Sequence, residues 1–200
     1  MTDTQPDFQA PDLPAEDNGL ILPRRSFLRG AGTLTLSAAA VAMLAGCESA
    51  AAGSSASAAD VSILNTALGA ELEAIAAYQV GAESGLLQKP GLDLAVQFQG
   101  HHKEHADVLA KTVRSLGGNP VDAKKAYDFP VDRLKSQNDV LGFAAGLEKG
   151  AVSAYLGAVP LFQNRDLAKA AASILGDEAM HWAVLRNALG QNPVPVAFVS

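Results

Sequence analysis

The chain has 200 residues and a formal net charge of −6, and 48% of its residues are hydrophobic whereas 6% are aromatic. The length suits one domain with additional segments, and an alanine-rich, aromatic-poor composition favours packed helices over a β-sandwich. The negative charge, uninterrupted by any basic stripe, argues against nucleic acid as a partner.

Residues 1–46 have the layout of an export signal. A polar leader ends at Arg24 and Arg25, and the Arg-Arg-x-Phe-Leu sequence that they begin resembles a twin-arginine signal. The uncharged apolar run that follows, residues 31–46, is shorter than the roughly 20 residues that span a bilayer, as expected for a signal sequence. The resemblance implies recognition by the twin-arginine export machinery, a route that carries folded proteins.

Cys47 follows this run directly, in a Leu-Ala-Gly-Cys sequence that resembles a lipoprotein processing box. In signals of that kind the peptidase cuts before the cysteine, which is then lipidated. The resemblance therefore implies a membrane-anchored lipoprotein on the periplasmic face of the cell envelope. Cleavage at the small residues near 40–42 is the alternative, and it would leave a soluble product. Because Cys47 is the one cysteine of the chain, an intramolecular disulfide is excluded.

The rest of the chain is predicted to be a tether followed by helices. Residues 47–59 are mostly alanine, serine and glycine, a composition typical of a flexible linker. From residue 60 onward the apolar residues recur with a period near 3.6, which predicts four helices. The predicted helices cover residues 60–83, 92–116, 136–161 and, after a turn at 164–166, the stretch that ends at Leu189.

The predicted connections determine how these helices are arranged. Short turns join the first helix to the second and the third to the fourth, whereas a longer link with Pro120 and Pro130 joins the second to the third. This pattern predicts an all-α four-helix bundle with a crossover between helices two and three, which occupies residues 60–200 with a short C-terminal tail.

The helical region also shows an internal duplication. Leu-Gly-Gly-Asn-Pro-Val at residues 116–121 matches Leu-Gly-Gln-Asn-Pro-Val at residues 189–194. Glu71 and Tyr78 in the first helix have the same seven-residue spacing as a Glu and a Tyr in the third. Because seven residues are about two helical turns, both members of each pair share a face.

Six possible metal ligands interrupt the apolar stripes of the predicted helices. All four histidines lie in residues 100–109 and 176–185, stretches that share Gly, His, Val and Leu at the same offsets. Residues three apart share a helix face, so a His-x-x-His and a Glu-x-x-His can each point at one metal. A buried carboxylate without a partner is costly, and a metal cation would compensate its charge. The candidate ligands are Glu71, His102, His105, Glu148, Glu178 and His181.

This arrangement resembles the ferritin-like superfamily of carboxylate-bridged di-metal bundles. In that superfamily a Glu from each of two helices joins a Glu-x-x-His from each of the other two. Glu71 and Glu148 match the single glutamates. Glu178 and His181 match one motif, and His105 matches the histidine of the other.

His102 departs from the family pattern, because it stands where the second motif has glutamate. A neutral imidazole ligates one metal through one nitrogen, so one bridge between two metals is lost. The resemblance still implies iron or manganese, with two ions possible, while zinc, which suits histidine-rich redox-inert sites, is less favoured. Tyr78 and Tyr155 resemble tyrosines of ferritin helices and would be hydrogen-bond partners or redox donors, with His101 at the edge of the site.

Residues 64–68, which precede Glu71, are similar to the corresponding sequence of exported bacterial ferritin-like proteins, a group that includes the desiccation-related proteins. The resemblance implies a metal-binding protein whose centre performs redox chemistry on metal ions or oxygen species, as a ferroxidase or an oxidase does. The change at His102 supports the alternative, a non-catalytic structural or stress-protective bundle with a degenerate metal site. A membrane tether fits a closed storage cage poorly, so we expect a monomer or a small homo-oligomer.

Overall fold

The computed structural model of the chain describes residues 56–199. The predicted export signal with Arg24 and Arg25, the lipidation site Cys47 and the first part of the predicted tether lie outside these residues. Residues 56–199 contain four α-helices and no strand, which confirms the predicted all-α bundle. No helix in this part of the chain combines the length and the apolar character needed to cross a membrane. The helices are α1 (Ala56–Glu83), α2 (Lys89–Ser115), α3 (Gln137–Ala158) and α4 (Arg165–Ala188).

The connections between the helices follow the predicted topology. α1 packs most extensively on α2, and α3 packs most extensively on α4, as expected for two hairpins. The crossover from α2 to α3 contains a short 3-10 helix, Val131–Arg133. A second 3-10 helix, Val159–Leu161, extends α3 at its C-terminus. The bundle therefore consists of two helical hairpins joined by one long connection.

Two helix starts differ from the sequence-based boundaries. α1 begins at Ala56, four residues before the predicted start. Residues 56–59 were assigned to the tether by composition, but alanine has the highest intrinsic helix propensity and extends the helix instead. α2 begins at Lys89, and Pro90 lies in its first turn rather than in a preceding turn. The missing amide of proline costs nothing there, because the first-turn amides have no intrahelical acceptor.

The duplicated Leu-Gly-x-Asn-Pro sequences form matching helix ends. Gly117 and Gly190 have φ angles of +77° and +70°, a left-handed conformation that glycine adopts at little steric cost. At each end, the amides of the glycine and of the next residue donate 2.9 Å hydrogen bonds to carbonyls of the last turn. This is the hydrogen-bond pattern of a Schellman cap. The repeated sequence therefore has the same structural role after α2 and after α4.

Two polar side chains of α1 hold distant connections in place. Asp60 is 2% exposed, and its two carboxylate oxygens accept hydrogen bonds from the amides of Gln163 and Asn164 at 2.8 and 3.0 Å. Asn65 donates to the carbonyl of Asn119 and accepts from the amide of Val121, both at 2.9 Å. The start of α1 is thereby tied to the turn between α3 and α4 and to the beginning of the crossover.

The core consists of two apolar clusters that lie on either side of the candidate ligands along the helices. One cluster includes Leu64, Leu68, Leu109, Val113, Leu167 and Ile174. The other includes Tyr78, Phe98, Leu141, Ala144 and Leu185. On every helix the candidate ligands fall between the residues of these two clusters. The fold therefore encloses a polar layer near the middle of an otherwise apolar interior.

Candidate metal centre

All six predicted ligands meet in this polar layer. Five of them are at most 2% exposed, and the side chain of His105 is 15% exposed. Their nitrogen and oxygen atoms form two groups, in each of which all ligand atoms lie within 4.8 Å of one another. The first group is Glu71, His102, His105 and Glu178, and the second is His102, Glu148, Glu178 and His181. The arrangement thus has two neighbouring lobes that share two side chains.

Glu178 lies between the two lobes and is fully buried. Its Oε1 atom is 3.1 Å from Nδ1 of His105, and its Oε2 atom is 3.7 Å from Nδ1 of His181. Each carboxylate oxygen therefore faces a different histidine. A carboxylate placed in this way can bridge two cations, whereas an imidazole nitrogen can ligate only one of them.

Five buried side-chain atoms of the described chain have no hydrogen-bond partner, and all five belong to this centre. They are Nδ1 of His105, Oε2 of Glu148, both oxygens of Glu178 and Nδ1 of His181. Leaving a buried polar group unpaired costs about 1–3 kcal/mol, and more when the group is charged. Imidazole nitrogens and carboxylate oxygens that face one another in a buried layer are the donor set of a transition-metal cation. These residues therefore fit a metal ion.

His102 has a different environment from the other two ligand histidines. Its Nδ1 atom lies 2.8 Å from Oε2 of Glu71, and its Nε2 atom lies 3.3 Å from Oε1 of Glu148. Both ring nitrogens thus have carboxylate partners, and the ring spans the two single glutamates of α1 and α3. Where the pattern of the ferritin-like superfamily has a second bridging carboxylate, this chain has a side chain that can carry a positive charge.

The ionisation of the centre follows from this mixture of imidazoles and carboxylates. Burial lowers the pKa of His102, but hydrogen bonds to Glu148 and Glu71 outweigh burial and raise it to about 11. Burial raises the pKa of Glu71, but the hydrogen bond with His102 and the proximity of His105 outweigh it and lower the pKa to about 2. Burial raises the pKa of Glu178 above its usual value. Without a metal, protons on imidazole rings therefore supply the positive charge that the carboxylates require.

The two tyrosines of the duplicated pattern reach across the bundle. The hydroxyl of Tyr155 on α3 donates to Oε1 of Glu71 on α1 at 2.6 Å, and the hydroxyl of Tyr78 on α1 donates to Oε1 of Glu148 on α3. Burial and the neighbouring glutamate charge raise the pKa of both phenols well above the usual value, so both keep their protons. Each tyrosine therefore holds one oxygen of a glutamate and leaves the other facing the histidines.

Asp177 contacts the histidines of the centre, and the sequence analysis did not identify it. Its Oδ2 atom lies 3.2 Å from Nε2 of His181 and 3.4 Å from Nε2 of His105. A carboxylate beside the second nitrogen of a ligating imidazole fixes the tautomer that offers its other nitrogen to the metal. The i, i+4 spacing of Asp177 and His181 was the available signal, because it places both on one helix face.

His101 lies at the edge of the centre, as its position beside the apolar stripe suggested. Its side chain is 35% exposed, and its Nδ1 atom is 3.1 Å from Oδ2 of Asp177 and 2.8 Å from Nε2 of His181. Glu104, one turn further along α2, is exposed and lies outside both ligand groups. His101 and Asp177 thus link the buried centre to the surface.

Comparisons with known proteins agree with the fold. A family model described as "Ferritin-like domain" matches residues 59–191. A solved structure of a conserved hypothetical protein, rv2844, from Mycobacterium tuberculosis is similar, with a TM-score of 0.62 and 23% sequence identity. The match covers 72% of this chain and 99% of that one, and it shows a shared fold. No curated protein matches the chain.

Proposed function

Because the chain belongs to the ferritin-like domain family, we propose that its polar layer binds divalent transition-metal ions, with iron or manganese as the resident metal. The observation that supports this proposal is the set of five buried atoms without hydrogen-bond partners, all on His105, Glu148, Glu178 and His181. The two imidazole nitrogens face the oxygens of Glu178 inside the bundle. A cation would satisfy these atoms together, whereas in its absence Nδ1 of His105 and Nδ1 of His181 would have to carry protons toward the Glu178 oxygens, 3.1 and 3.7 Å away.

The two lobes assign the ligands to two positions. One ion would be held by Glu71, His105 and Glu178, and a second by Glu148, His181 and Glu178. His102 belongs to both groups but can ligate only one ion through a given nitrogen. The two positions are therefore unequal, and we expect one ion to be retained more tightly than the other.

The donor set bears on the identity of the metal. Carboxylates and imidazoles favour iron and manganese over soft metals, and the single cysteine of the chain, Cys47, precedes the residues that the structure describes. Zinc also binds histidine and carboxylate ligands and is the competing ion. A tightly held zinc ion would make the centre structural rather than redox-active.

We further propose that the metal centre has a redox role. Bound iron or manganese would supply one-electron chemistry toward oxygen species, with Fe(II) oxidation as the reaction to test. The protein would contribute the burial of the centre and the positions of the carboxylates. Tyr78 and Tyr155 would orient Glu148 and Glu71 by donating to their Oε1 atoms. Both phenols are protonated, so they would act as hydrogen-bond donors in the resting protein.

The pairing of His102 favours one alternative function. Its ring contacts both Glu71 and Glu148, so a protonated His102 compensates two buried carboxylates without any metal. A bundle stabilised in this way would be a non-catalytic structural or stress-protective protein that keeps a remnant of the family site.

Metal analysis of the protein purified without chelators distinguishes these functions. We expect between one and two iron or manganese ions per chain in the wild type and two in a His102→Glu variant, because the substitution restores the bridging carboxylate. An exposed neighbour, Glu104→Gln, is the matched control and should resemble the wild type. Absence of metal from the wild type but not from His102→Glu would establish the degenerate alternative. Absence from both, after reconstitution as well, would refute metal binding.

We also propose that the protein is exported by the twin-arginine machinery and anchored to the membrane through lipidated Cys47. The Arg24-Arg25 sequence and the cysteine after the apolar run support this localisation. Fractionation of cells tests it. Replacing both arginines with lysine should retain the protein in the cytoplasm, and Cys47→Ser should abolish lipid attachment. Normal export of the twin-lysine variant would exclude this route, and unchanged membrane attachment of Cys47→Ser would exclude the anchor.

A further inference from the structure

A third group of ligand atoms lies outside the two buried lobes. Nδ1 of His101, Oδ2 of Asp177 and Nε2 of His181 converge on one point between α2 and α4. The two nitrogens are 2.8 Å apart, and they lie 3.1 and 3.2 Å from the carboxylate oxygen. Ligand bonds of about 2.1 Å place neighbouring ligand atoms roughly 3.0–3.4 Å apart at octahedral and tetrahedral angles. Two of the three separations lie in this range and the third, 2.8 Å between the nitrogens, is slightly shorter, so the three atoms are close enough together to ligate one cation.

This outer group differs from the buried lobes in its access to solvent. The side chains of His101 and Asp177 are 35% and 23% exposed, whereas that of His181 is 2% exposed. A hydrated ion can reach the outer group and keep water at its remaining coordination positions. Two imidazoles and one carboxylate suit a divalent first-row transition metal better than magnesium or calcium, which prefer oxygen ligands.

His181 belongs to the outer group and to the buried centre through opposite edges of its ring. Nε2 faces His101 and Asp177, while Nδ1 lies 3.6 Å from Oε2 of Glu148 and has no hydrogen-bond partner. A neutral imidazole ligates through one nitrogen and keeps a proton on the other. An ion at the outer group therefore excludes His181 from the buried lobe, and an ion in the buried lobe leaves Nε2 as a donor to Asp177.

We infer that His101, Asp177 and Nε2 of His181 form a loading site, where a divalent transition-metal ion binds before it enters the buried centre. The inference rests on the proposed metal-binding function. Because Asp177 also lies 3.4 Å from Nε2 of His105, the outer site adjoins His105 of one lobe and shares His181 with the other. An ion held there is separated from each lobe by one imidazole ring, that of His105 or that of His181. The outer site is occupied only transiently, because His181 can ligate an ion in the outer site or an ion in the buried lobe, but not both at once.

Loading of the metal-free full-length protein with Co²⁺ tests this inference, with Co²⁺ absorption giving both the rate and the final stoichiometry. His101→Ala removes an outer ligand and leaves all six buried candidates intact. We expect the same final stoichiometry as in the wild type but a loading rate lower by about tenfold, a factor taken from the low end of the loss in metal affinity or activity when an outer partner of a metal site is removed. Glu104→Gln is the matched control on α2 and should load at the wild-type rate.

A second variant tests outer binding directly. Glu178→Gln weakens both buried lobes but keeps all three outer ligands, so it should retain one Co²⁺ that is lost when His101→Ala is added. Two results would refute the loading site without affecting the buried centre. One is a wild-type loading rate in His101→Ala. The other is a folded Glu178→Gln protein whose Co²⁺ binding does not change when His101→Ala is added. A wild-type protein that takes up no Co²⁺ would refute the proposed function and the loading site together.

Discussion

Tyr155 donates a 2.6 Å hydrogen bond to Oε1 of Glu71, a residue 84 positions earlier in the chain. The duplicated pair makes the reciprocal contact, because Tyr78 donates to Glu148. Each tyrosine thus donates its hydrogen bond to the glutamate of the other helix, and not to the glutamate seven residues before it in its own helix. This exchange joins α1 to α3 across the centre and leaves Oε2 of each glutamate facing the histidines. Both helical hairpins are therefore needed to build either lobe.

Tyr155→Phe tests the contribution of this cross-helix bond. Removing the hydroxyl leaves Oε1 of Glu71 buried without its donor, so we expect a loss of about 1–3 kcal/mol in the free energy of unfolding of the metal-free protein. Urea denaturation monitored by circular dichroism gives this value. Tyr127→Phe is the matched control, because the hydroxyl of Tyr127 lies in the crossover beside the Lys124 amide and outside the centre. Equal stability of the two variants would show that the buried bond contributes nothing.

Asp177→Asn tests whether Asp177 orients the ligand histidines. The amide keeps the size of the side chain but removes the charge beside Nε2 of His105 and His181, so we expect metal affinity to fall by about 10–100-fold. Competition with a chelator of known affinity measures the change. Asp107→Asn, an exposed position on α2 that pairs with Lys111, should leave affinity unchanged. An unaltered metal affinity in Asp177→Asn would show that Asp177 does not orient the ligand histidines.

Asp60→Ala tests the link between α1 and the turn before α4. The substitution leaves the amides of Gln163 and Asn164 without their acceptor, and we expect the free energy of unfolding to fall by about 1–3 kcal/mol. Thermal and urea unfolding provide the measurement. Asp122→Ala, at an exposed position in the crossover, is the control and should change stability by less than about 0.5 kcal/mol. A similarly small effect at Asp60 would mean that the turn is held by its apolar packing alone.

Two glycines of the α4 region should respond to alanine in opposite directions. Gly190 has a φ of +70°, where a Cβ is strained, so Gly190→Ala should destabilise the protein by about 1 kcal/mol. Gly176 lies inside α4, and a Cβ there would meet nothing within 4 Å, so Gly176→Ala should stabilise it by about 0.5–1 kcal/mol. Parallel urea titrations compare the two variants. Shifts of the same sign would contradict this explanation.

Periodicity in the sequence was enough to predict the four helices and to place the six candidate ligands on their buried faces. Both are local properties, since a helix has 3.6 residues per turn and a polar residue that interrupts an apolar stripe must point inward. Helix starts were less predictable. Composition assigned residues 56–59 to a tether, and Pro90 suggested a turn where it begins α2. In both cases the same residues are compatible with helix and with linker.

The sequence by itself determined which side chains enter the interior, because burial follows from each helix taken alone. Only the tertiary structure decided which of them meet. The pairing of Tyr155 with Glu71, the placement of His102 between two glutamates and the contact of Asp177 with His105 all join different helices. Helical periodicity specifies a face but not the neighbour it packs against, since that choice depends on how the hairpins assemble around the shared core.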